Sequence, residues 1–293
     1  MGCPCEVTLY ADSAGSAERG FRLAEYESRR LDTKYSHYSS DSELSRLVLE
    51  AQYPGGVRVD AETATLLDYA DRQYRVSGGL FDITARRLTR LWDQVARLPE
   101  PQALEQALAR TGWNRVGWKE GRLALPAGVE LDLGGVVKEY AADRAAFLLR
   151  KAGFRNGYVD LGGDFHVLGP HPSGTPWRIG IRDPEKNGRA AAVVSIHSGG
   201  LASSGDYERF SRVDGVCYSH FVDPVSGLAM VADPQRSAVS VVAPSCLLAG
   251  SVATLAMLFR GRRGGRFLER SGLPWLSLGR SATVSHSAPA FPC

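Results

Sequence analysis

The stretch LDLGGVVKEYAADRAAFLLRKAGFRNGYVDLGG, residues 131–163, predicts the central structural unit of this chain: a strand, a glycine turn, a helix and a second strand. In GVELDL, residues 128–133, apolar residues alternate with acidic ones, which is the period-two pattern of a strand with one buried face. After Gly134 and Gly135 the apolar residues take helical spacing until Gly153, a residue suited to end a helix. A further apolar run and another glycine pair close the stretch.

The first glycine pair suits a phosphate or another polar, anionic ligand. Glycines let the backbone approach a ligand closely, and the first N–H groups of a helix carry partial positive charge. Lys138 adds a positive charge in the first turn. The glycine spacing fits neither a Walker loop nor a GxGxxG fingerprint. A plain connection from strand to helix is equally compatible with this segment.

Further motifs lie outside the central stretch. They are SHYSSDSELSRL (36–47), SGGLFDITARRLTRLW (77–92), YVDLGGDFHVLG (158–169), PWRIGIRDP (176–184), LASSGDYERF (201–210) and SHFVDPVSG (219–227). Together with DLGGVVKEYAADRA, which is similar to the pattern DLGGIAKGYAVDRA, they resemble the motifs of the ApbE family, the FAD:protein FMN transferases. The motifs occur in family order and span nearly the whole chain.

The resemblance implies an α+β fold, with a mixed β-sheet flanked by helices in an ApbE-like architecture related to the T-fold. Residues 1–293 are expected to form one flavin-transferase domain or two intimately joined subdomains. The composition agrees, because a chain of 293 residues can bury a sizeable core. Patterning predicts helices at residues 16–32, 61–76, 86–92, 99–110 and 246–259, strands at 3–10, 177–181, 191–196, 200–203 and 237–243, and a hairpin across 116–125.

The resemblance also implies a reaction. In ApbE-like enzymes FMN passes from FAD to a Thr or Ser hydroxyl of an acceptor protein through a phosphoester bond, and AMP leaves. Mg2+ holds the pyrophosphate of FAD, and the acceptor is expected to be a subunit of a redox complex. Two alternatives remain: an FAD-binding pseudoenzyme of the same family with a degraded metal site, and hydrolysis of FAD by water.

The resemblance assigns roles to individual residues. His220, in HFVDPVSG, is the candidate catalytic base, and the carbonyl of Gly135 and the hydroxyl of Thr254 are the candidate metal ligands. The candidate FAD-binding residues are Met1, Tyr38, Leu80, Phe81, Asp82, Asp132, Lys138 and Phe221.

Structural roles are open for several of these residues. Met1 can be a flexible initiator, and Tyr38 can anchor its own loop. Phe81 can be a core residue, and Asp82 can be the N-cap of the helix that follows. His220 can be a structural histidine.

One position departs from the family pattern. The family places an Asp four residues before a Thr on a helix, so that both reach one metal ion from the same face. Here Thr254 is kept, but Gly250 stands four residues before it. Glycine has no side-chain oxygen, and Mg2+ prefers anionic oxygen ligands, so the site is expected to be weakened. Glu139, where the family has glycine, is a hypothetical substitute; a place on the surface of its helix is the alternative.

Composition limits the partners and the compartment. The net charge of +3 gives no electrostatic case for nucleic acid. No apolar run approaches the roughly 20 residues that cross a bilayer, so no transmembrane segment is expected. The N-terminus lacks a signal-peptide pattern, which predicts a cytoplasmic protein as the sequence stands. A periplasmic or membrane-associated location follows if the N-terminus is trimmed. Five cysteines without zinc-site spacing fit a reducing compartment.

Overall fold

The computed structural model describes residues 2–93, 95–185, 188–207, 210–279 and 284–287. They belong to two units. Unit 1 comprises residues 1–32, 135–205 and 233–293, and unit 2 comprises residues 33–134 and 206–232. The description of 1–293 as one domain stays a prediction. None of the described helices combines the length and the apolar content that a bilayer-spanning segment requires.

The helices and strands alternate irregularly along the chain. In order they are β1 (Cys5–Leu9), α1 (Ala14–Tyr35), α2 (Glu43–Glu50), β2 (Val57–Arg58), α3 (Ala61–Ser77), α4 (Arg86–Leu91), α5 (Pro101–Leu108), a 3-10 turn (Trp113–Arg115), β3 (Gly117–Lys119), β4 (Arg122–Ala124), α6 (Gly134–Lys151), β5 (Gly157–Leu161), β6 (Phe165–Gly169), β7 (Trp177–Arg182), β8 (Ala190–Ile196), β9 (Gly199–Gly205), β10 (Phe210–Val213), β11 (Val216–Val222), β12 (Ala229–Val231), β13 (Ala238–Ala243), α7 (Cys246–Phe259), α8 (Gly261–Ser271), β14 (Trp275–Leu278) and β15 (Val284–His286).

Unit 1 is built on a seven-stranded sheet in the order β1-β5-β6-β9-β13-β14-β15. The α+β class and the large sheet are therefore confirmed. Within the described residues every strand pair of this sheet is antiparallel, so the sheet is not mixed. The predicted strands at 177–181 and 191–196 are present as β7 and β8. They pair with each other in a separate hairpin and do not join the large sheet.

The segment before α6 is where the strand prediction was wrong. Residues 129–133 form no strand, although their apolar side chains are buried and their acidic side chains are partly exposed, as the alternation indicated. Glu130 instead forms ion pairs with three arginines of α4, Arg86, Arg87 and Arg90. Apolar and acidic residues alternate in this segment because the apolar side chains pack in the core and the Glu130 side chain binds α4. Gly134 and Gly135 also form no turn, since α6 begins at Gly134.

Unit 2 has a core that fixes β11, the strand that carries His220 and Phe221. Its buried members are Leu88, Trp92, Ala107, Val222 and Ala229. The Trp92 indole N–H donates to the carbonyl of Gly227 at 2.9 Å. The Ser211 hydroxyl donates to the carbonyl of Trp92 at 3.0 Å. These bonds tie α4 to the chain on either side of β11.

Helix α3 in unit 2 begins and ends as the sequence indicates. Asp60 is its N-cap and accepts the N–H groups of Glu62 and Thr63 at 2.9 and 3.1 Å. Lys34 lies 3.0 Å from the same carboxylate. Gly78 ends the helix in the left-handed conformation, with φ of 69°. The capping residues thus satisfy backbone groups that the helix itself leaves without partners.

We expect Asp60→Ala to lower the free energy of unfolding by about 1 kcal/mol at neutral pH, the usual effect of losing an N-cap side chain. Partial burial acts to raise the pKa of Asp60, but hydrogen bonds from Thr63 and Lys34 hold it well below its usual range. A lowered folded-state pKa stabilises the protein above the unfolded pKa of about 4, and this contribution is lost as the pH falls through the folded-state pKa. Urea denaturation at pH 7 and pH 3 should therefore show a smaller difference in acid; an equal difference at both pH values would contradict the assignment.

Candidate functional site

Helices α6 and α7 of unit 1 contact each other at two levels, and the order of these contacts along the two helices is antiparallel. The Asp143 carboxylate on α6 accepts the N–H groups of Cys246 and Leu247, the first residues of α7, at 2.7 and 3.0 Å. Glu139 lies one turn before Asp143 on α6, and Gly250 lies one turn after Cys246 on α7. The Glu139 side chain lies against Gly250. By the same register, one further turn brings position 135 of α6 to the level of position 254 of α7.

Glu139 is a buried residue, so the expectation of a surface position on its helix was wrong. It is 7% exposed, and its Oε2 has no hydrogen-bond partner. A Cβ on Gly250 would lie 2.7 Å from both Cγ and Oε1 of Glu139. The glutamate therefore fills the space that a side chain at position 250 would need. Burial, followed by the charge of Asp164, raises the pKa of Glu139.

Lys138 forms an ion pair with Asp164, the residue that follows the second glycine pair. Asp164 is only 2% exposed, and its Oδ1 accepts the N–H of Ser203 at 3.1 Å. Burial raises the pKa of Asp164, while Lys138 acts in the opposite direction. Burial likewise disfavours the charged form of Lys138, but Asp164 and Glu139 raise its pKa above the ordinary value. Lys138 is thus held protonated next to two carboxylates.

Thr254 faces the sheet one turn beyond Gly250. Its hydroxyl lies 2.8 Å from the hydroxyl of Ser204 on β9. Hydroxyl, carbonyl and carboxylate oxygens are ligands for Mg2+, which binds one or two carboxylates and keeps several waters. The described residues hold no group of three or more His, Cys, Asp or Glu side chains arranged around a metal ion. Such a group is not what a phosphate-bound Mg2+ requires, whereas an unpartnered carboxylate oxygen beside Gly250 fits that ion.

Asp132 in unit 2 lies in a cluster with His37 and Arg86. Its Oδ1 is 3.0 Å from His37 Nδ1, and its Oδ2 is 3.9 Å from a terminal nitrogen of Arg86. It also accepts the N–H of Gly134, the first residue of α6, at 2.8 Å. Burial opposes ionisation of Asp132, but His37 lowers its pKa. His37 Nε2 is buried without a hydrogen-bond partner.

Tyr38 stands beside that cluster with its ring in solvent. The residue is 84% exposed. Its ring centroid lies 4.0 Å from that of His37, and the Arg86 guanidinium lies 5.3 Å from it. An exposed ring next to a cation can accept a stacked aromatic ligand, although its role in binding FAD stays a prediction.

The segment of Leu80, Phe81 and Asp82 is built into unit 2. Phe81 is a core residue at 9% exposure. Asp82 does not cap α4, whose N-cap is Ala85 without a side-chain hydrogen bond. Its carboxylate instead accepts from Thr84, at 2.7 Å from the N–H and 2.6 Å from the hydroxyl. The N–H of Trp113 reaches the other oxygen at 2.9 Å. Asp82 therefore joins two loops, and burial raises its pKa.

Three of the predicted residues remain to be placed: His220, Phe221 and Met1. His220 and Phe221 are half-buried neighbours on β11, with ring centroids 4.2 Å apart. Met1 lies outside the described residues.

The ApbE family model matches residues 1–276 of this sequence. The chain belongs to the ApbE family. Two curated ApbE relatives carry the name FAD:protein FMN transferase. The one from Treponema pallidum is 32% identical over 279 residues, which cover 87% of this chain and 75% of that protein. The one from Haemophilus influenzae is 29% identical over 269 residues, covering 87% and 77%.

Solved ApbE structures have the same fold. The ApbE protein of Thermotoga maritima matches with a TM-score of 0.83 and 27% identity, over 98% of this chain and 94% of that one. The flavin transferase ApbE of Vibrio cholerae matches with a TM-score of 0.82 and 27% identity, over the same fractions. The family resemblance read from the motifs is thereby confirmed.

Several contacts of these clusters were not found by sequence reasoning. The ion pair of Lys138 with Asp164 and the contact of Asp143 with α7 join positions that are distant in sequence. Glu139 and Asp143 do occur four residues apart on α6, which was a signal that both lie on one helix face. Nothing in the sequence marked His37 as the partner of Asp132.

Proposed function

We propose that this protein transfers FMN from FAD to a Thr or Ser hydroxyl of an acceptor protein and releases AMP. Membership of the ApbE family and the names of its relatives support this activity. The observation that carries it is the half-buried Lys138 at the start of α6, held between the buried carboxylates of Asp164 and Glu139. A protonated lysine at a helix N-terminus attracts a pyrophosphate.

The proposed chemistry is a phosphoryl-type transfer. The acceptor hydroxyl oxygen forms a bond to the phosphorus on the FMN side of FAD, and the bond between that phosphorus and the bridging oxygen breaks. AMP leaves with the bridging oxygen, and the product is a phosphoester. His220 takes the hydroxyl proton as general base. Lys138 offsets negative charge on the phosphates, and the other family-assigned residues hold the nucleotide.

Mg2+ would supply a positive charge that stabilises the pyrophosphate as its bond breaks. In unit 1 the carbonyl of Gly135 and the hydroxyl of Thr254 would hold it. The acceptor is proposed to be a protein of a redox complex, because covalently attached FMN carries electrons.

A second candidate is an FAD-binding pseudoenzyme of the same family. The observation that favours it is Gly250, which offers no side-chain oxygen to a metal ion. Under this reading FAD binds and stays intact.

Incubation with FAD, Mg2+ and a Thr-containing acceptor domain tests the proposal. We expect the acceptor to gain the mass of FMN, attached through phosphate, and AMP to appear in equal amount. Intact-mass analysis measures the first product and chromatography the second. Tight FAD binding without an adduct, across several acceptors, would favour the pseudoenzyme. AMP and free FMN without an adduct would indicate hydrolysis by water.

A histidine pair provides the control for the base. Loss of a general base lowers a rate by about 10²- to 10⁴-fold, so His220→Ala should slow transfer by that factor and leave FAD affinity unchanged. His171, which stacks on Trp177 at 3.8 Å in unit 1, is outside the assigned set. His171→Ala should transfer FMN at the wild-type rate. Equal rates for the two variants would remove His220 from the proposed chemistry.

A further inference from the structure

We propose that Glu139 on α6 supplies the carboxylate ligand for Mg2+ in this protein, in place of an aspartate on α7. The inference rests on the proposed function for its cation, since it assumes a site that handles the pyrophosphate of FAD. It concerns a residue that neither the family model nor the names of the relatives assign.

The contact between Glu139 and Gly250 is the first observation. The glutamate side chain occupies the place where a side chain of α7 would begin, because Cγ and Oε1 both lie 2.7 Å from an ideal Cβ at position 250. A side chain at position 250 therefore fits only if the Glu139 side chain moves aside. In this chain the carboxylate at this level of the two helices therefore comes from α6.

The unpartnered oxygen of Glu139 is the second observation. Oε2 is buried and accepts no hydrogen bond, in a residue that is 7% exposed. Burying a carboxylate oxygen without a partner is costly unless a cation compensates the charge or the group takes up a proton. Lys138 cannot be a dedicated partner, because its ammonium group is paired with Asp164.

The charge balance of the cluster is the third observation. Glu139 interacts electrostatically with Asp164, Asp143 and Lys138. Asp143 has His166 as its own ion-pair partner, so Glu139 and Asp164 share the single cation Lys138, and a divalent cation would offset the second carboxylate. Asp143 is already satisfied by the N–H groups of α7, so Glu139 is the carboxylate available for coordination.

The register of the helices places the other oxygen ligands nearby. Gly135 precedes Glu139 by one turn of α6, and Thr254 follows Gly250 by one turn of α7. Gly135 and Thr254 are therefore each one helical turn away from the contact of Glu139 with Gly250. Because the order of the contacts is antiparallel, both are displaced from it in the same direction. A carbonyl, a hydroxyl and the Glu139 carboxylate thus lie on neighbouring turns, the types of oxygen that Mg2+ takes.

Binding of Mg2+ tests the proposal without reference to FMN transfer. Isothermal titration calorimetry would be done on the full chain with Mg2+ alone and again in the presence of FAD. We expect Glu139→Gln, which keeps the shape of the side chain, to weaken Mg2+ by about 10- to 100-fold or more. Thermal unfolding should show the same loss, with Mg2+ raising the melting temperature of the wild type but not of the variant.

Three further variants separate metal coordination from side-chain packing and from a general effect of charge. Glu139→Gly combined with Gly250→Asp moves the carboxylate to α7 and should restore most of the Mg2+ affinity. Gly250→Asp alone should be destabilised, because its side chain meets Glu139. Asp143→Asn removes a half-buried carboxylate one turn away on the same helix, and should change Mg2+ affinity far less than Glu139→Gln does.

Three results would overturn the proposal: Mg2+ binding to Glu139→Gln at the wild-type affinity, an equal loss in Asp143→Asn, or no Mg2+ binding by the wild type in either titration. The first result does not contradict FMN transfer by the wild type, so the proposed function would stand. Conversely, Glu139-dependent Mg2+ binding by a protein that transfers no FMN would support the ligand and reject the transferase.

Discussion

Replacing Lys138 by methionine is expected to lower the free energy of unfolding by about 3–5 kcal/mol, the cost of leaving a buried charge without its partner. Asp164 would keep its hydrogen bond from Ser203 but lose its cation. FMN transfer should also fall, by about 10²- to 10³-fold, because a preorganised positive group near the phosphates is removed. Chemical denaturation and the mass-based transfer assay measure the two effects separately.

The double variant Lys138→Met/Asp164→Asn distinguishes these effects. Removing both charges leaves a neutral side chain that can still accept the N–H of Ser203. We expect it to recover most of the stability but none of the transfer. If it were as unstable as the single variant, the ion pair would not be the source of the loss. If either variant transferred FMN at the wild-type rate, Lys138 would have no role at the phosphates.

The instability of Lys138→Met should depend on pH. Burial raises the pKa of Asp164, and Lys138 is the main group that lowers it. Without Lys138 the folded-state pKa lies further above the unfolded value of about 3.9, so stability is greatest in acid and is lost as the pH rises through the folded-state pKa. Unfolding measured at pH 5 and pH 8 should therefore show the larger deficit at pH 8.

Gly200→Ala is expected to destabilise unit 1 by about 3 kcal/mol or more, at the upper end of overpacking effects. Strand β9 passes directly against the first residue of α7 at this position. A Cβ would lie 2.2 Å from the backbone N of Cys246 and 2.3 Å from the carbonyl carbon of Ser245. Backbone atoms cannot rotate away, so either β9 or α7 must shift. The melting temperature should fall by about 5–10 °C.

Gly15→Ala is the matched control for that substitution. Gly15 lies in the first turn of α1, and nothing lies within 4 Å of its ideal Cβ. Alanine is favoured over glycine in a helix by up to about 1 kcal/mol, so this variant should be as stable as the wild type or slightly more stable. A melting temperature for Gly200→Ala equal to that of Gly15→Ala would contradict the close approach of β9 to α7.

The sequence by itself determined most of the local structure and the family of this protein. Helix α7, the capped helix α3 and the hairpin of β3 and β4 follow from apolar periodicity and from turn residues, which act over a few neighbouring positions. The motifs, read in order, identified the ApbE family and hence the α+β class.

Only the tertiary structure decided which of these residues face one another. Residues 129–133 have the alternation of a strand, yet their acidic side chains bind arginines of α4. Glu139 has the sequence position of a surface residue on its helix, yet it lies buried against Gly250. Periodicity reports that one face is buried but not what buries it, because contacts between distant segments depend on how helices and strands pack. The position of Asp164 beside Lys138, and that of Asp143 at the start of α7, are set by that packing alone.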